Sequence, residues 1–260
     1  MKLLSALLAL AALAGPLRAD WRGELTTKRG KFPKPRAQSA RYEIGWSGVT
    51  MAQAQVKFSN SKSGTCKLEV SGKTVGLARV LYGIDGSIVS TCSATFSPMR
   101  LTMLEDYGKK TVTTNVDYTR KGATCLRKIS PPDKKPPSPK QFVFQNVHDP
   151  QSALLFLHTL PLRVGDSARL CVCAGNSGDL LQVTVTGREK LKVAGSEWDT
   201  LRCDVKLSSV QKDFTLKPSK RLKSLTVWVS DDKDRLLLRA EGEVFLGRVW
   251  AEMKSVQFAK

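Results

Sequence analysis

Apolar and polar positions alternate along most of this chain, in segments separated by turn signals, the signature of half-buried strands in series. Residues 41–46 and 49–58 alternate about Ser47-Gly48 and predict a hairpin. Further strands are expected at 65–70, 87–96, 99–106, 110–118, 168–174, 180–187, 190–194, 198–207 and 224–230, with a last hairpin over 235–258 that pivots at Leu246-Gly247. A short helix is expected from Thr74 to Tyr82, ended by Gly83. The substantial helix is expected over 150–160. Asp149 suits its N-cap, Pro150 its first position and Pro161 its stop, and Ala153, Leu154, Phe156, Leu157 and Leu160 supply an apolar face. Within the strands, Trp228 and Phe245 are expected to cover the core. The reading is a mainly β, β-dominated α+β domain of about a dozen strands and one substantial helix.

Three stretches break this texture. Residues 1–19 run from Lys2 through an apolar core, Leu3 to Ala14, to small residues. That describes a secretory signal peptide cut after Ala19, or alternatively after Ala14. The core is shorter than the ~20 apolar residues of a membrane span, so no transmembrane anchor is expected after cleavage. Residues 20–40 are basic, carry two prolines and lack periodicity, which predicts a flexible arm. Residues 129–140 hold five prolines and three lysines, too many missing donors for a ladder, and predict an exposed loop inside a single β-rich domain spanning 41–258.

Charge changes the picture next. The net charge is +19, and residues 1–19 contribute only Lys2 and Arg18 to it. In a periplasmic or secreted protein such a surface points to anionic lipid, lipopolysaccharide or cell-wall polymer, and no nucleic acid is expected. The arm's Lys28, Arg29, Lys31, Lys34 and Arg36, the loop's Lys134 and Lys135, and Lys220 and Arg221 are the candidate contacts with an anionic surface. Leu154 and Leu157 are the candidates for an apolar helix face that closes over a ligand.

Six cysteines, Cys66, Cys92, Cys125, Cys171, Cys173 and Cys203, are an even set that suggests disulfides after export. Cys66 and Cys92 fall on strands expected to be near neighbours and are the first pair to test. The alternative is a set of buried packing thiols. Cys171-Val172-Cys173 is neither a redox Cys-x-x-Cys nor part of a zinc pattern. His148 and His158 lack the i, i+4 spacing of a helical metal pair, and Asp231, Asp232 and Asp234 lack the glutamate that ends a calcium loop. No nucleophile elbow, phosphate loop or dinucleotide fingerprint occurs. A non-catalytic protein without a cofactor is therefore expected, although carboxylates dispersed along a chain can still converge on a hydrolytic site.

Several segments together resemble one family. They are Asp149-Pro150-Gln151-Ser152-Ala153-Leu154-Leu155-Phe156-Leu157, Leu160-Pro161-Leu162-Arg163-Val164-Gly165-Asp166, Trp228-Val229-Ser230-Asp231-Asp232, and Ala240-Glu241-Gly242-Glu243-Val244-Phe245-Leu246-Gly247-Arg248-Val249-Trp250-Ala251-Glu252. With the opening Tyr42-Glu43-Ile44-Gly45-Trp46-Ser47-Gly48-Val49, they are similar to the exported bacterial family known as domain of unknown function 3108. Ala52 stands where that pattern has a glycine. The resemblance implies an exported, β-rich protein whose sheet is curved and antiparallel, or a half-barrel. By analogy with outer-membrane lipoprotein carriers, it implies a concave face for acyl chains. Three functions follow: a binding protein for an amphipathic or anionic envelope ligand, an assembly module for another envelope protein, or a hydrolase of cell-wall or polysaccharide material.

Overall fold

The computed structural model describes residues 20–61, 64–132, 136–219, 224–244 and 247–259. The expected signal peptide, Lys134, Lys135, Lys220, Arg221 and Phe245 lie outside the described residues.

One sheet of sixteen strands makes up the described fold. The chain enters its middle at β1 (Gln38–Trp46) and moves outward through β2 (Val49–Asn60), β3 (Cys66–Thr74), the short helix α1 (Gly76–Leu81), β4 (Asp85–Cys92), β5 (Pro98–Asp106), β6 (Thr111–Thr119), β7 (Gly122–Ser130) and β8 (Lys140–Val143). It crosses to β9 (Val147–His148) and helix α2 (Pro150–His158). It then returns through β10 (Ser167–Val172), β11 (Asp179–Val193), β12 (Ser196–Val210), β13 (Leu216–Pro218), β14 (Ser224–Ser230), β15 (Leu237–Glu243) and β16 (Arg248–Phe258). The last strand pairs with the first, and neighbours are antiparallel except β9 with β10. β7, β8, β9 and β13 are additions to the expected set, and β11 is one strand where two were expected, its ladder slipping at Val185/Gly187.

The outer strands β8 and β9 are separated only by residues 144–146, so the sheet curls until its ends meet. The phenol of Tyr118 on β6 donates to the carbonyl of Cys173 just past β10. Leu101, Val116 and Ala123 from one end share a core with Val147, Cys171 and Cys173 from the other. Strand bulges at Arg41/Tyr42, Ile44/Gly45, Thr91/Cys92 and Trp228/Val229 add the local twist that such curvature requires. At Gly45 a side chain would overlap the Trp250 ring, so only glycine lets these two strands pack there.

The inside of the curl is filled rather than open. Ala153, Leu155, Phe156 and Leu157 of α2 pack between Phe58, Leu68 and Cys92 of one half and Leu170, Val183, Val185, Leu201 and Cys203 of the other. Asp149 caps the helix, its carboxylate accepting from Gln151 N (2.9 Å), Ser152 N (3.0 Å) and Ser90 Oγ (3.0 Å). Leu154 does not join this face. It points to solvent at 51% exposure, because a helix wedged between two sheet halves buries two flanks and leaves one ridge outside. Trp228 also departs from its expected place. Leu225, Val227 and Val229 take the core side of β14, which sends Trp228 to the outer face, where its indole donates to Glu189.

The segment expected to be a flexible arm is a strap bound to the domain. Trp21 of a 3-10 turn, Trp21–Glu24, stacks on Phe144 at 5.3 Å and donates to Phe214 O. Thr26 N bonds Arg169 O, while Gly30 N and Phe32 N bond Thr159 at the end of α2. Arg36 makes a two-pronged pair with Asp234 at 2.6–2.7 Å. The strap lacks periodicity because backbone contacts and a few anchors hold it, and neither leaves a hydrophobic pattern.

Arg235 joins strap, helix and sheet. Its guanidinium donates to the carbonyls of His158, Leu160 and Pro161, which α2 leaves without helical partners. It lies 3.3 Å from the centre of the Phe32 ring. Burial lowers its pKa to about 10, with Asp231 opposing. The aspartates of this turn have structural duties as well. Asp232 accepts from Ser230, Asp234 N and Arg235 N, Asp234 holds Arg36, and Asp231 holds Arg188 at 2.6 Å.

Candidate ligand groove

Strand alternation that sends Ala40, Tyr42 and Met253 inward sends their neighbours to the outer face, where β16 and β1 to β5 form a groove of about 700 Å³. Register aligns its side chains in two rows. Arg41, Gln55, Ser71, Ser87 and Leu104 face one another in sequence across β1 to β5, and Glu43, Gln53, Lys73, Asp85 and Asp106 do the same one step along. Lys254 is the extra residue of the bulge opposite Arg41/Tyr42. Its ammonium sits 3.4 Å from Glu43 and 2.8 Å from Glu252. Arg41 donates to Ser255 Oγ at 3.0 Å, and Gly72 and Gly86 contribute bare backbone to the lining. Hydroxyls, amides and both signs of charge therefore converge on one trough, which suits hydrogen bonding to a chain-like ligand with polar groups at intervals.

None of these groove residues stands out in the sequence. Each is an ordinary polar residue on the wet side of a strand, and only the register gathers them. The candidates that the sequence singled out sit elsewhere. Lys28, Arg29, Lys31 and Lys34 are exposed along the strap. Arg29 reaches Ala94 O, and the charge of Lys34 acts on the Cys66 thiol. That places this basic stretch at the opposite end of the strands from the turns at 47–48 and 107–110. Arg36 is tied up with Asp234 and the Phe258 ring. The strap is thus not the rim of the groove, and Leu157 is core rather than lid.

Cys66 and Cys92 face each other across β3 and β4, and Cys92 Sγ lies 3.7 Å from the Cys66 carbonyl. All six cysteines are buried thiols in the structure. Burial, aided by the nearby Cys66, pushes the Cys92 thiol up to about 12.

His148, Asp149 and Ser152 lie together but do not form a relay. Both Asp149 oxygens serve the helix cap and Ser90, and Ser152 Oγ donates to Asp149 O while standing 3.5 Å from His148 Nδ1. Burial pushes the His148 pKa from 6.5 down to about 4, and pushes that of His158 the same way. The unfolded chain therefore binds these protons first. Stability from His148 is complete above about pH 6.5 and is lost as pH falls toward 4, to a limit of about 3 kcal/mol. Burial raises the Asp149 carboxyl, which works in the opposite sense. Urea denaturation at pH 7.5, 5.5 and 4.5 is expected to show a shallower loss for His148→Gln than for the wild type. Equal slopes would assign the acid sensitivity to other groups.

Among the described residues no group of three or more His, Cys, Asp or Glu is placed to hold a metal ion, and no helix is long and apolar enough to cross a membrane.

Comparison with known proteins gives fold and family. The crystal structure of a β-barrel-like protein of domain of unknown function DUF1849 from Brucella abortus aligns with a TM-score of 0.61 at 7% identity, over 87% of this chain and 99% of that one. A putative exported protein with a YmcC-like fold from Bacteroides fragilis (8% identity, TM-score 0.35, 88% and 100% covered) and the hypothetical lipoprotein YmcC from Escherichia coli (11%, 0.32, 84% and 84%) are only loosely alike. No functionally curated protein matches. A curled antiparallel meander that joins its last strand to its first, with the hairpin and helix segments noted above, agrees with the match of a family model to residues 41–254, and the chain belongs to the family described as Protein of unknown function (DUF3108).

Proposed function

We propose that this protein is an exported, non-catalytic binding protein of the bacterial envelope, and that the outer-face groove holds an amphipathic or anionic envelope ligand. The groove carries this reading. It is roomy and built from two aligned rows of hydrogen-bonding side chains, whereas the space between the sheet halves, where acyl chains would enter, is occupied by α2. The cationic start, apolar core and small-residue cut of residues 1–19 support export.

Filling the trough tests the reading. Gln53 and Gln55 are exposed on β2, so Gln53→Trp/Gln55→Trp occupies the groove without disturbing the core. Native mass spectrometry of periplasmic protein is expected to show a small molecule retained by the wild type and absent from this variant. Identical spectra for the two, with or without a bound species, would overturn the assignment to the groove.

Export also makes a Cys66–Cys92 disulfide part of the proposal, because the two residues are direct cross-strand partners, the separation a bridge needs. Non-reducing peptide mapping of the exported form is expected to recover the 66–92 linked peptide. Recovery of both as free thiols would make them packing residues.

A further inference from the structure

Helix α1 is built inside out. Ala78 is its one buried residue, while Leu77, Val80, Leu81 and Tyr82 are 62–80% exposed. Six residues are too few to hold a helix by themselves, and polar contacts do the holding. Arg79 pairs with Asp85 at 2.8 Å and donates to Ile84 O, and Val75 N bonds Met51 O on β2. Ordinary surface helices turn such side chains to the core. The neighbouring turns at the same end of the strands add exposed Val49 and Tyr107. Apolar surface is thus collected at one tip of the molecule, held out by ion pairing and backbone bonds.

We propose that this tip inserts into the interface of an anionic phospholipid bilayer. Charge identifies the occupant. The chain has 42 basic against 23 acidic residues, and Lys109 and Lys110 are exposed beside Tyr107 with no ion pair among the described residues. Three acids share this end: Asp85 is neutralised by Arg79, Asp106 accepts from Gly108 N and Glu105 accepts from the Tyr107 phenol, and Lys73, Lys109 and Lys110 stand exposed against them. Aliphatic side chains with two tyrosines, bordered by lysine, match the depth profile of a bilayer interface. Six side chains, four on α1 and its C-cap and one on each of two turns, also fall well short of the roughly 20–30 residues a side of a stable protein interface. The inference rests on the envelope location proposed above but not on the groove, and it sets an orientation in which the strap's lysines face away from the membrane.

The test is flotation of the purified exported protein with phosphatidylglycerol/phosphatidylethanolamine vesicles across a salt series. Wild type is expected to float, less so as salt rises. Val80→Asp/Leu81→Asp is expected to lower the bound fraction about tenfold or more at every salt, because charge must enter the interface. Lys109→Gln/Lys110→Gln should weaken binding at low salt only, and Lys28→Gln/Lys31→Gln/Lys34→Gln should change it by less than about twofold. Tyr82→Trp supplies a readout without a disruptive charge: its emission should shift to the blue with vesicles and be quenched by brominated acyl chains. Failure of wild type to float, or equal flotation of the aspartate variant, would overturn the proposal. Self-association in sedimentation that the aspartate variant abolishes, without vesicle binding, would show that a second copy covers the tip. The groove-filled variant is expected to float normally, so groove and tip fail separately.

Discussion

Replacing Arg235 with alanine is expected to destabilise the protein by about 3 kcal/mol, because three carbonyls at and just beyond the end of α2 lose a charged donor together and Phe32 loses the cation stacked on it. The bonds to His158 O and Leu160 O are partly buried and water cannot fully replace them, so the loss exceeds that of an ordinary surface arginine. Lysine should recover little, since a single ammonium cannot span three acceptors in the plane that a guanidinium fork covers. Chemical denaturation measures the loss. Limited proteolysis locates it, since faster cutting within residues 20–37 would show the strap released along with the helix end. A loss below about 0.5 kcal/mol would mean that solvent satisfies these carbonyls and that the strap is held by its other anchors.

The second large effect separates two leucines three positions apart. Leu157→Asp is expected to prevent folding or to cost more than about 4 kcal/mol, since it puts an unpaired carboxylate among Phe156, Leu170 and the sheet halves. Leu154→Asp is expected to stay within about 0.5 kcal/mol of wild type, because its side chain already meets water. Thermal melts of the two variants decide the matter. A folded Leu157→Asp protein that loses an acyl probe would restore the picture of α2 as a lid. Equal, large losses for both would mean that Leu154 is covered in solution, as by a second copy of the chain, rather than facing water.

That contrast shows where sequence reasoning reached and where it stopped. Helix α2 was legible from Asp149, Pro150 and Pro161, because caps and breakers act within a few residues of themselves. The meander was legible from alternation and turns. What α2 packs against was not, since an eleven-residue window cannot say that both flanks of the helix will meet sheet. Trp228 was misplaced for a different reason. Period puts Leu225, Val227 and Val229 on one face of the strand and Ser224, Thr226, Trp228 and Ser230 on the other, so the size of the indole misled where the alternation did not. The strap was misread because its bond from Gly30 to Thr159 spans 129 positions. The groove is a product of register across six strands, and register between distant strands has no local signature. The tip was visible as a short helix at 74–82, but the fact that its apolar residues face outward was not.

The pairing of β1 with β16 has a consequence for how the protein is made. A chain delivered from its N-terminus presents Gln38–Trp46 early and Arg248–Phe258 some two hundred residues later. Strands β1 to β7 can zip in sequence, each against the one before it, but the other edge of β1 must wait for nearly the whole chain to arrive. Until then it offers unsatisfied amides beside Ala40 and Tyr42, the kind of template on which another nascent chain can grow. The rate at which the chain emerges and any factor that covers this free edge, more than the stability of the finished fold, would then set the yield of this protein.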